Sequence, residues 1–177
     1  MLRNIISFQL GWFSCVLGAA NHYPWLGVLA SIGLIAWHLK VSNNWIGEAY
    51  LIFLAMLVGL VFDFLPLSFR WISFESLAFW PDQIPPPWMI FLWGMFATTL
   101  NISLNWLKTR LFVAILLGAV SGPIAYWGGA RLGALEMVDF SAAMIYLSIG
   151  WAIAVPALLK MASSINLCID LKNRRER

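Results

Sequence analysis

Charge is scarce here: Asp, Glu, Lys and Arg together make up 11% of the 177 residues, against 62% hydrophobic ones. A soluble domain of this length carries about a quarter charged residues, so a water-facing surface cannot be assembled from this chain. Cysteine is nearly absent. Cys15 and Cys168 fall far apart in a helical reading, which excludes a C-x-x-C redox site and a disulfide framework and leaves two free thiols. Histidine is equally rare. His22 and His38 fall at opposite ends of one span, with no Cys or acidic residue at ligand spacing, so neither a metal nor a haem site is expected, and no cofactor. The sequence also lacks G-x-S-x-G, H-E-x-x-H and a phosphate-binding glycine loop, repeats and low-complexity tracts.

What the sequence has is long apolar runs. In hydrocarbon every backbone N–H and C=O must be paired internally, and runs without period-2 alternation do that as helices. Counted against the roughly 20 residues needed to cross a hydrocarbon core, six spans emerge in one domain covering 1–177. They are 5–21, 25–39, 46–65, 87–107, 111–130 and 140–160. The fold class is thus all-α, a polytopic membrane helix bundle of about six transmembrane helices. The first two spans are short and leave a re-entrant hairpin as an alternative; snorkelling of Arg3 and Lys40 would lengthen them to full spans.

Lys and Arg set the orientation, because basic loops stay cytoplasmic. Arg3, Lys40, Lys108, Arg110, Lys160, Lys172, Arg174, Arg175 and Arg177 share one side, against Arg70 and Arg131 on the other. Both termini are therefore expected in the cytoplasm, with a basic tail over 161–177 and an aromatic outer loop over 66–86. The expected location is a bacterial inner membrane, crossed several times. Trp25, Trp71, Trp80, Trp88 and Trp127 fall near the outer boundary, and Trp37, Trp45 and Trp106 near the inner one, as two aromatic belts would require. The net charge of +3 thus reflects topology, with the lipid bilayer as partner and no nucleic acid. The loop contains Phe69, Trp71, Phe74, Phe79 and Trp80, and reads either as an interfacial helix or as a lid over an outward-facing pocket.

Polar residues inside spans are costly and usually face the bundle or a cavity. Ala55, Gly59 and Asp63 recur every four residues and share one stripe, with Glu48 about 60° around the helix. Small residues there admit a neighbouring helix. Asp63 is a candidate for ligand or ion binding, with a structural pair to His22, Arg131 or a helix N-terminus as the alternative. For Glu48 the alternative is a pair with Lys40 or Lys108. Thr98, Asn101, Asn105 and Lys108 form a second stripe, read as interhelical hydrogen bonding or as a substrate-contacting row. Gly118, Gly122 and Gly129, with Pro123 between, mark a close-packing and kinked fifth helix that could dock another membrane protein, as could Gly11. The candidate ligand-binding set is Asp63, His22, Trp71, Arg131, Glu48, Asn101 and Asn105; no catalytic residue is assigned.

The stretch from Phe8 to Ala20 (FQLGWFSCVLGAA), with Leu116 to Pro123 (LLGAVSGP), resembles a family of small proteobacterial inner-membrane proteins known only as a domain of unknown function. More distantly, Ala55-x-x-x-Gly59-x-x-x-Asp63, six spans and about 180 residues are similar to the substrate-binding subunits of energy-coupling-factor vitamin transporters and to the rod-shape protein MreD. The second resemblance implies a first span whose Ser7, Gly11, Cys15 and Gly18 or Ala19 dock a transmembrane partner. Two functions follow as expectations. The preferred one is a non-catalytic binding or transport component for a small or amphipathic molecule; the other is a membrane-embedded enzyme acting on lipid or quinone, with Glu48 or Asp63 as acid or base. An assembly scaffold is a third.

Overall fold

A computed structural model describes residues 1–75, 77 and 79–175, with side chains for all of them except 170 and 172–175. The side chains of Lys172, Arg174 and Arg175, and Arg177 entirely, lie outside the described residues. Among those described there are six α-helices: α1 (Leu2–Ala20), α2 (Pro24–Val41), α3 (Trp45–Ser68), α4 (Pro87–Leu100), α5 (Leu111–Arg131) and α6 (Phe140–Arg175). Four are long and apolar enough to cross a membrane: α2, α3, α5 and the Phe140–Ile169 part of α6.

The helix faces explain why the chain is apolar all round. On α3 the buried face is Gly47, Glu48, Leu51, Ile52, Ala55, Gly59, Asp63 and Pro66. The opposite face exposes Ile46, Tyr50, Phe53, Leu57, Val61 and Phe64. An outward stripe this apolar would be a liability in water; in hydrocarbon it is the solvated side.

The bundle has two distinguishable ends. At the proximal end, where α1 begins, Asn4 bonds to the Thr98 carbonyl and accepts from Ser103, and Asn44 donates to Asn166. At the distal end the short strands β1 (Ile72–Ser73) and β2 (Glu136–Met137) pair antiparallel. Three helices stop at the distal end by the same device. The residue just past the C-cap turns left-handed at His22 (φ 64°), Arg70 (φ 56°) and Gly133 (φ 90°). Its N–H and the next one return to carbonyls of the last turn: His22 to Ala19 and Tyr23 to Gly18, Arg70 to Leu67 and Trp71 to Pro66, Gly133 to Ala130 and Ala134 to Gly129.

Several boundaries differ from the sequence reading. α4 ends at Leu100, not near Leu107, and the chain continues through a turn into a 3-10 segment, Asn105–Thr109. The Thr98 and Thr99 hydroxyls bond back to the Met95 and Phe96 carbonyls, a local competition that weakens a helix end. α6 is continuous from Phe140 to Arg175 and takes in most of the expected tail. No interfacial helix occurs among the described residues of 66–86. That loop instead supplies β1, paired with β2 of the α5–α6 connection, with Ile72 buried, Phe69 stacked on Trp71 at 5.0 Å, and Phe74 edge-on to Trp88. α1 and α2 pack along one another as two helices.

Candidate functional site

The stripe on α3 is answered by α4. A Cβ on Gly59 would fall 2.1 Å from Cγ of Trp93, so only glycine lets that indole lie across α3. One turn further along, Asp63 receives it: Trp93 Nε1–H donates to Oδ2 at 2.8 Å. The Tyr126 hydroxyl of α5 donates to Oδ1 at 2.6 Å. Asp63 is 1% exposed and has no cation within ion-pair distance among the described residues. Both oxygens are thus held by neutral donors from two other helices, which is how a buried carboxyl avoids its desolvation penalty. Beside it, Pro66 has no N–H for the Phe62 carbonyl four residues back. The Tyr146 hydroxyl of α6 supplies the missing donor at 2.7 Å.

Trp151 of α6 stacks on Trp93 with centroids 4.6 Å apart and planes 13° off parallel. Its ring fills the space left by Gly122, where a Cβ would meet its Cγ at 2.2 Å, and its backbone packs on Gly118, where a Cβ would meet the Trp151 carbonyl oxygen at 2.3 Å. A Cβ on Gly11 would touch Met95 Cε at 2.7 Å, and one on Gly129 would meet Leu135 at 3.5 Å. Gly11, Gly118 and Gly122 are therefore closely packed by neighbours within this chain, whereas a side chain at Gly129 would make an ordinary contact. α5 runs as one helix through Pro123.

A second polar assembly lies at the proximal end. His38 Nε2 is 3.0 Å from Glu48 Oε2, and Asn101 Nδ2 donates to Glu48 Oε1 at 2.8 Å. Asn101 Oδ1 accepts from Lys108 Nζ and, at 3.1 Å, from Asn166 Nδ2. Asn44 caps α3 by accepting from the Gly47 N–H. With Glu48 6% and His38 7% exposed, this network joins α2, α3, α4 and α6 below the surface. Glu48 and Asp63 stand 15 residues apart on one helix, roughly 22 Å at 1.5 Å per residue, so they serve different places.

One apolar cavity borders the Asp63 assembly, and a second adjoins it, sharing Phe8 and Phe96. The first, about 80 Å³, is walled by Trp12, Trp88, Trp93, Tyr126 and Trp151 besides those two. The second, about 370 Å³, continues toward the proximal end past Gln9, Thr99, Ser103 and Ser121. Together they form a groove with α1 on one side and α5 on the other, floored by α4 and α6. Asp63 lines neither cavity. It fixes two of the side chains that do.

The expected site residues thus separate. Glu48 and Asn101 come together, whereas Asp63 is elsewhere. The pairs expected for the carboxylates are replaced: Asp63 bonds Trp93 and Tyr126, and Glu48 bonds His38 and Asn101, with Lys108 reached through Asn101. His22 Nδ1 contacts Glu75 Oε1 at 2.6 Å on the distal surface. Trp71 packs near Tyr146, and its carbonyl accepts from the Asp139 N–H. Arg131 and Asn105 are exposed. The second stripe does not survive as a stripe, because the helix ends between its members. Trp93, Tyr126, Tyr146, Trp151 and Asn166 were not foreseen. One signal was available: a tryptophan in mid-span, such as Trp93 or Trp151, cannot belong to an interfacial belt and must therefore be used inside.

Residues 1–157 match the family described as "Protein of unknown function (DUF2878)". No curated protein matches, and no solved structure does. The likeness to energy-coupling-factor subunits and to MreD is not shown by these comparisons.

Proposed function

The chain belongs to the DUF2878 family, whose description assigns no activity, and from that premise and the geometry we propose that it is a multi-pass protein of the bacterial inner membrane with both termini in the cytoplasm, acting as a non-catalytic binding or transport component. The ligand is an elongated amphiphile lying in the α1–α5 groove. The observation that carries this reading is a groove walled by seven aromatic rings, two of which, Trp93 and Tyr126, are fixed by hydrogen bonds to buried Asp63. Ligand sites are concave, mostly apolar and marked by a few placed polar groups; here Gln9, Thr99, Ser103 and Ser121 supply those groups toward the proximal end. The membrane reading is supported by Trp25, Trp37, Trp45, Trp106 and Trp127, which are exposed and sit at helix ends. The enzyme alternative needs polar groups converging on one cavity. The two buried carboxyls do not converge, and their oxygens are already bonded.

The test uses dibromostearate, whose bromines quench indole fluorescence, added to the purified protein in nanodiscs. Saturable quenching is expected, and Ala125→Leu, which fills the first cavity, should abolish saturation with helicity unchanged. Equal, non-saturating quenching in both proteins would refute the groove as a binding site. Topology is checked separately with an impermeant maleimide on intact cells. Exposed Cys168 should stay unlabelled and an introduced Asp82→Cys should react; labelling of both from the same side overturns the orientation.

A further inference from the structure

On another face of α1 from the groove, the proximal end holds a third cavity of about 80 Å³ between α1, α2 and α4. Its chemistry is unlike that of the groove. Arg3, Asn4, Ser7, Trp37, His38 and Thr98 line it, and the lining contains no Asp or Glu. The nearest buried carboxyl, Glu48, lies behind His38 with both oxygens bonded to His38 and Asn101. Arg3 has no ion-pair partner among the described residues. The lip is apolar: Trp37, Val41 and Ile102 are all exposed there.

We infer that this cavity is a site for the phosphodiester headgroup of an anionic phospholipid. Three features converge. A guanidinium provides charge and paired N–H donors suited to phosphate oxygens. The Ser7 hydroxyl offers a further donor at a position one turn from Arg3, on the same helix face. The apolar lip around Trp37 opens sideways, where acyl chains would continue, and a tryptophan at headgroup depth is the usual boundary residue. Basic pockets between transmembrane helices on the cytoplasmic side are a known mode of anionic lipid recognition. The site also gives a role to an arginine that has no carboxylate beside it and stands next to a cavity whose polar side chains Asn4, His38 and Thr98 already bond to protein groups. A lipid seated there would tie α1 to α2 and α4 at their proximal ends.

The experiment is native mass spectrometry of the full chain released from nanodiscs, with phosphatidylglycerol, phosphatidylcholine or free glycerol 3-phosphate as competitors. Phosphatidylglycerol should be retained in preference to phosphatidylcholine. Arg3→Gln should weaken that retention about fivefold, the effect of about one surface-bound basic side chain, and Ser7→Ala should weaken it less. Lys40→Gln removes the same charge from the same end of the bundle but outside the cavity, and should leave retention unchanged. Equal losses in Arg3→Gln and Lys40→Gln would mean a diffuse surface attraction and overturn the site. Displacement by glycerol 3-phosphate as effective as by the lipid would overturn the lipid assignment in favour of a soluble phosphate. The groove can fail its bromine-quenching test without affecting this outcome, since no residue lines both.

Discussion

Replacing Asp63 tests whether its carboxyl is an organiser of other side chains. Asp63→Ala strands two buried donors, the Trp93 indole N–H and the Tyr126 hydroxyl. A buried donor left without a partner costs about 1–3 kcal/mol. Hydrogen bonds between helices in membranes run weaker, averaging about 0.6 kcal/mol, which places the expected total near the lower end, about 2–3 kcal/mol. For a chain of this size that lowers the thermal midpoint by about 4–12 °C. Asp63→Asn behaves differently. The amide oxygen still accepts from Trp93, whose N–H cannot reverse, while the amide N–H₂ donates to Tyr126, whose hydroxyl can turn into an acceptor. The expected loss is within about 1 kcal/mol, the net worth of one ordinary hydrogen bond. The assay is thermal unfolding in nanodiscs followed by tryptophan fluorescence, with Asp63→Ala/Tyr126→Phe completing a double-mutant cycle. The double variant should lose less than the sum of the single ones by about 1 kcal/mol, because the stranded hydroxyl is gone. Strict additivity, or an Asp63→Asn variant as damaged as Asp63→Ala, would refute the reasoning.

Other consequences can be checked in the same assay. Tyr146→Phe removes the donor that replaces the missing N–H of Pro66 and should destabilise by about 1–2 kcal/mol; Pro66→Ala in that background restores a backbone donor for the Phe62 carbonyl and should recover part of the loss. Gly59→Ala forces the Trp93 indole off α3 and should cost about 1–3 kcal/mol, with a shifted emission maximum, whereas Gly33→Ala, whose Cβ meets nothing within 4 Å, should be neutral or stabilising by up to about 1 kcal/mol. Arg70→Gly relieves a left-handed turn at a non-glycine residue and should raise the midpoint, by about 1 kcal/mol in stability. No rise would show that the turn carries no strain.

Much of the fold was legible because membrane helices announce themselves by apolar length, and because Pro24 and Pro87 stand at helix starts where proline is favoured. The end of α4 was not legible. Thr98, Thr99 and Asn101 keep a helical spacing on paper, and only their local hydrogen bonds decide against continuing the helix. For the site, the α3 stripe fixes which side of the helix faces inward but not what meets it there. The donors to Asp63 come from 30 and 63 residues away in sequence, a separation that periodicity cannot bridge. Charge logic also misleads at Asp63: it points to His22, Arg131 or a helix N-terminus, whereas in a dry interior an indole and a phenol satisfy the carboxyl without bringing in a second charge to desolvate.

The length of α6 has a mechanical corollary. Its 36 residues make a rod of roughly 54 Å at 1.5 Å per residue. Asn166, tied to Asn101 and Asn44, acts as a collar at the proximal end, and the helix runs on past it for about two and a half turns. Because that overhang is continuous with the helix bearing Trp151 and Tyr146, tilting of the ring stack would swing the far tip as a lever. A spectroscopic label on the overhang should therefore register occupancy of the aromatic chamber from beyond the proximal end.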